Sequence, residues 1–133
     1  MPRIVIDCRF AAGHSGLGRY TRELVRELVR RPGNGIEYVL ALKPGDGDWI
    51  PEDADGLRLM RIAAPHYSLA EQTKLPSLLR EARADLLFSP HFNVPLFCPV
   101  PFVSTVHDLI LHAYPNQAGR AKQAAYRLLM RHA

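Results

Sequence analysis

At 133 residues, 47% of them apolar and 23% charged, the chain has the size and balance of one ordinary globular domain, able to bury roughly two-thirds of its unfolded surface. No apolar stretch approaches the roughly 20 residues of a membrane-spanning helix, and Cys8 and Cys98 are too far apart for a Cys-x-x-Cys or zinc pattern, so both are expected as buried free thiols. The formal charge of +4 leaves room for phosphorylated ligands or an anionic lipid surface, and no nucleic-acid partner is expected.

Arg3 to Cys8 opens as a strand whose near-continuous Ile and Val suit a sheet covered on both faces. Asp7 breaks this run too soon for a signal peptide, so a cytoplasmic location is the expectation. Gly13-His14-Ser15-Gly16-Leu17-Gly18 then turns into an amphipathic basic helix, Arg19 to Arg31, with Tyr20, Leu24, Val25 and Leu28 inward and Glu27 in reach of Arg30 and Arg31. Pro32-Gly33-Asn34-Gly35 ends that helix, and Ile36 to Leu42 supplies a second strand. Lys43 to Gly56, rich in Gly, Pro and Asp, is a surface excursion before a third strand, Leu57 to Ile62.

Ser68-Leu69-Ala70-Glu71 has the spacing of a capping box, so a second helix starts there. Pro76 restarts or kinks it, and Leu78, Leu79 and Ala82 face inward. Asp85 to Ser89 and Pro101 to Val106 are two more strands, separated by an apolar loop, Pro90 to Pro99, suited to lining a cleft. From about Gln117 the pattern is helical again, with Ala121, Ala125, Leu128 and Leu129 on one side and Arg120, Arg127 and Arg131 on another.

Strands alternating with helices predict an α/β domain, a Rossmann-like open parallel sheet with helices on both faces. Ligands of such sheets sit at the carboxyl ends of the strands, where the glycine turn, His91 and His107 all fall. Gly16, Leu17 and Gly18 offer backbone amides at a helix start to an anionic or hydroxylated ligand, although a plain tight turn accounts for them equally well. His107 and Asp108, after the last strand, are placed to bond a sugar hydroxyl or carry a proton; the bland alternative is a histidine tied to a backbone carbonyl. His91 and His14 are weaker candidates for the same ligand. No metal site, Ser-His-Asp set or carboxylate pair is evident in the spacing.

Ile6-Asp7-Cys8-Arg9, Ser15-Gly16-Leu17-Gly18-Arg19-Tyr20-Thr21-Arg22-Glu23-Leu24, Asp85-Leu86-Leu87-Phe88-Ser89-Pro90-His91 and Thr105-Val106-His107-Asp108-Leu109, continued by Tyr114-Pro115 and Tyr126-Arg127-Leu128-Leu129, resemble the N-terminal domain of GT-B glycosyltransferases of family four. The resemblance implies that residues 1–133 are the acceptor-side half of such an enzyme, truncated at the C-terminus and inactive without the donor-binding domain. It implies a retaining transfer from a nucleotide-sugar, mannose being the suggested sugar, to a glycan or lipid-linked acceptor in polysaccharide assembly. By the same resemblance His107 is the active-site histidine, Gly16 and Gly18 approach the donor diphosphate or the acceptor, and neither a cofactor nor a metal is needed. Peripheral contact with anionic lipid, through the last helix or Arg26 and Arg30, is a further expectation, set against a plain solvated surface. The alternatives are a non-catalytic acceptor-binding module working with a separate chain, and a nicotinamide-dependent oxidoreductase. Against the latter stand the missing third glycine and Leu42-Lys43 in place of an acidic residue closing the second strand.

Overall fold

A computed structural model of the chain describes residues 1–31, 35–52, 54, 56–114 and 119–133. The stop at 32–34, residues 117–118 of the expected last helix and Pro115 of the resemblance lie outside these residues. Five strands, β1 (Arg3–Asp7), β2 (Glu37–Leu42), β3 (Leu57–Arg61), β4 (Leu86–Ser89) and β5 (Phe102–Ser104), form one parallel sheet in the order β3-β2-β1-β4-β5. Helices α1 (Gly16–Val29), α2 (Leu69–Ala82), α3 (Ile110–Ala113) and α4 (Arg120–His132) complete it.

Alternate side chains of a strand point to opposite faces, so the central strands feed two separate cores. Val5, Val39, Ala41 and Leu87 pack with Leu75, Leu78, Leu79 and Ala82 of α2. Ile6, Tyr38, Leu40 and Leu42 pack on the other face with Val25 and the half-buried Leu28 of α1. The expected double-sided α/β sheet is therefore what the chain forms, and β1 lies at its centre, paired with β2 on one side and β4 on the other.

Several local expectations differ. Helix α2 runs through Pro76 without a restart, its N-terminus capped by the Ser68 hydroxyl on the Glu71 amide at 3.2 Å. The 43–56 excursion is not wholly superficial, because Trp49 and Ile50 pack against the α1-side core. Cys8 is buried but Cys98 only half-buried, and both are free thiols. Tyr20 is 36% exposed and is no core residue. In α4 the buried side chains are Tyr126 and Leu129, while Ala121, Ala125 and Leu128 face outward; Tyr126 is held edge-on to Phe92, ring centroids 5.3 Å apart. The short helix α3 has no counterpart in the sequence reading; Asp108 supports its start by accepting from the Ile110 amide at 3.1 Å.

Candidate active site

The chain runs outward from β1 in one direction through β2 to β3 and then returns to the other side of β1 with β4. This reversal sets the loops after β1 and β4 side by side at the carboxyl edge, where ligands of such sheets sit. The β1 loop is braced from α1, whose Arg22 guanidinium donates to the carbonyls of Ala11 and Gly13 at 2.5 and 2.9 Å. Ser15 caps α1 by accepting from the Gly18 amide at 3.2 Å. Among the described residues the Gly16 and Leu17 amides find no partner, as expected of the first donors of a helix.

The two glycines of this turn have different reasons to be glycine. A Cβ on Gly18 would lie 2.4 Å from the Gly13 carbonyl oxygen and 2.9 Å from that of Phe10. Close packing of the turn on itself thus demands Gly18, and its amide is already used by the cap. A Cβ on Gly16 would meet nothing within 4 Å, so backbone packing gives no reason for that glycine.

Beneath the crevice lies a buried ionic network. Arg9 donates from Nε and Nη2 to the two Asp7 oxygens at 2.8 and 2.6 Å, and from Nη2 to Glu71 Oε1 at 2.5 Å, all three side chains being buried. Burial of the Arg9 guanidinium alone would lower its pKa, but the Asp7 hydrogen bond and charge, followed by Glu71, more than offset that and raise it. Glu71 also accepts from the Asn93 side-chain amide at 2.9 and 3.1 Å and from the Tyr67 backbone amide at 2.7 Å. One carboxylate thereby ties together the loops after β1, β3 and β4. Tyr67 sits at φ 60, a backbone region costly for a non-glycine residue, where its bond to Glu71 helps to hold it.

Above this floor a series of rings lines the cleft. Phe10 stacks on His66 with centroids 3.7 Å apart and lies 4.9 Å from His91, which in turn lies 4.1 Å from Phe92. Tyr67, His91, Phe92, His107, Asp108 and Tyr126 surround a cleft of about 540 Å³, with Lys122 at its margin. Tyr20 of α1 meets His107 edge-on at 4.7 Å, which brings the start of α1 beside the cleft. A groove of similar size, about 570 Å³, lies between β3 and α2, but it contains none of the candidate residues.

The two histidines are held in opposite senses. His91 Nδ1 accepts from the Asn93 backbone amide at 3.3 Å, so in the neutral ring the proton is on Nε2. His107 Nε2 donates to the Pro90 carbonyl at 2.6 Å, leaving Nδ1 as the acceptor of its neutral ring. Burial, then the neighbouring His107 and His66, depresses the His91 pKa to about 4. Burial and then Arg9 also lower that of His66. The carbonyl-tied arrangement set against a functional His107 is present, yet it orients the ring rather than removing it from the cleft.

The structure thus brings His91, His107 and Asp108 into one cleft, whose His107 meets Tyr20 of α1, while Gly16, Leu17 and Gly18 are not among the residues that line it. His14 is exposed and lines none of it. Among the described residues no group of three His, Cys, Asp or Glu side chains is placed to hold a metal ion. Tyr67 and Lys122 escaped the sequence reading, as did the wider role of Glu71; Phe92 lies in the Pro90–Pro99 loop expected to line a cleft, and Tyr126 was part of the resemblance without a role at the cleft. For Glu71 the capping-box spacing was a usable signal of helix start, but not of its link to Arg9.

A family model described as a glycosyl transferase 4-like domain matches residues 15–133. Among solved structures, sucrose-phosphate synthase from Thermosynechococcus elongatus is similar with a TM-score of 0.61 at 14% sequence identity, a likeness of fold. The likeness covers 96% of this chain but 39% of that one. A comparison with curated proteins finds no match.

Proposed function

Because the chain belongs to the glycosyl transferase 4-like domain family and its Rossmann-like sheet corresponds to half of a GT-B glycosyltransferase, we propose that it is the acceptor-side half of a retaining, nucleotide-sugar-dependent enzyme. The observation that carries this reading is that two oppositely polarised imidazoles line one cleft at the sheet's carboxyl edge, with Tyr20 of α1 against His107. His91 Nε2–H donates to one acceptor hydroxyl and His107 Nδ1 accepts from another. The ring faces of Tyr67, Phe92 and Tyr126 supply apolar contact to the C–H side of a sugar. The Gly16 and Leu17 amides favour the negative charge that develops on the leaving diphosphate, and a separate donor-binding domain supplies the remaining contacts. No protein nucleophile is required, because in this reading the leaving phosphate takes the acceptor's proton on the same face.

Mannose is the proposed sugar, and a glycan or lipid-linked molecule in cell-surface polysaccharide synthesis the proposed acceptor. The proposed setting is cytoplasmic, with the protein in peripheral contact with anionic lipid. Calorimetric titration with acceptor saccharides and with nucleotide-sugars tests the assignment. Saccharide binding that His107→Ala weakens, with feeble donor affinity and no sugar transfer by this chain alone, is the expected outcome. Tight donor binding without saccharide binding, or turnover by the chain alone, would contradict it.

A further inference from the structure

The net charge of the molecule is confined to one end. All 13 acidic residues lie at or before Asp108, while Arg120, Lys122, Arg127 and Arg131 lie beyond it, so residues 109–133 carry the whole formal charge of +4. Arg26 of α1 and Arg30 just beyond it are engaged, Arg26 with Glu23 at 2.7 Å and Arg30 with Glu27 at 3.3 Å. No acidic partner faces Arg127 or Arg131 among the described residues. These two stand one helical turn apart on α4 and, with His112 of α3 and Gln123, line a groove of about 520 Å³. Leu109 and Met130 complete its walls, and Tyr126 forms the partition that this groove shares with the histidine cleft.

Resting on the acceptor-side reading above, we propose that the α3–α4 groove binds a phosphate group carried by the acceptor whose sugar occupies the histidine cleft. Arg127 and Arg131 supply planar, permanently charged donors matched to phosphate oxygens, Gln123 a neutral donor, and His112 a further donor when protonated. The titratable groups of the adjoining cleft, across Tyr126, are Tyr67, His91, His107, Asp108 and Lys122. The phosphate comes either from a soluble phosphoester or from a lipid headgroup. Exposed Val106, Leu109, Ile110 and Leu128, each 44 to 53% accessible, are the apolar surface that a lipid-borne acceptor would meet.

The test uses the full chain, the Arg127→Ala/Arg131→Ala double variant, and Arg80→Ala, an exposed position on α2, as a control outside the groove. Binding of inorganic diphosphate is measured by calorimetry, and co-sedimentation is measured with phosphatidylcholine vesicles that contain or lack phosphatidylglycerol. The expected result is diphosphate binding that weakens with added salt, falls by about tenfold or more in the double variant and is unchanged in the control. Sedimentation with the anionic vesicles, lost in the double variant, assigns the phosphate to a lipid; diphosphate binding without sedimentation assigns it to a soluble phosphoester. Absence of both signals in the wild-type chain, or equal signals in the double variant, overturns the proposal. Saccharide binding retained in the double variant shows that the acceptor reading survives such a failure, whereas loss of saccharide binding in the wild type removes that reading itself.

Discussion

The methyl group that Gly18 lacks would collide with two backbone carbonyl oxygens, neither of which can swing aside as a side chain can. Gly18→Ala is expected to cost about 1–3 kcal/mol, whereas Gly16→Ala, facing open space, should stay within about 0.5 kcal/mol of wild type by denaturant unfolding. Arg9→Met would leave Asp7 and Glu71 buried without their cation, for an expected loss of about 3–5 kcal/mol. His91 has a folded pKa of about 4, below the ordinary 6.5, so the unfolded chain takes up a proton first as pH falls. The stability contributed by its neutral ring is therefore complete above about 6.5 and is lost as pH falls towards 4. A magnetic-resonance titration should place the His91 midpoint near 4, and a midpoint near 6.5 would contradict its burial among the rings. The positions of His91 and His107 after β4 and β5 were legible in the sequence. Their opposite tautomers were not, since these depend on the Asn93 amide and the Pro90 carbonyl as placed by the fold.

Helix α4 shows how an apolar pattern can mislead about which face is buried. Its alanines and leucines suggest a stripe through Ala121, Ala125, Leu128 and Leu129, but the contact with the rest of the molecule runs through Tyr126 and Leu129. His132 supports the same packing by donating to the Pro95 carbonyl at 2.9 Å. Leu129→Ala should therefore cost about 2–5 kcal/mol and Leu128→Ala less than about 0.5 kcal/mol in thermal or denaturant unfolding. Equal effects would refute this orientation. The strands and the α2 cap were easier to read, because Ile4-Val5-Ile6, Tyr38 to Leu42 and the Ser68–Glu71 spacing carry local signals. The Arg9–Glu71 pair joins residues 62 positions apart, and no local pattern announces such a contact.

At the scale of the molecule, alternation of strands and helices foretold the class of sheet, but not the order β3-β2-β1-β4-β5 that creates the crevice beside β1. That order places the loop after β1 against the ring-lined loop after β4, and Glu71 locks both to the start of α2. The central claim is that a saccharide binds at this rim. Amide and imidazole chemical shifts of the full chain, followed during titration with a mannose disaccharide, test it most directly. The account predicts shifts concentrated at Tyr67, His91, Phe92 and His107. Shifts confined to the groove between β3 and α2, or none at the rim at saturating sugar, would contradict it.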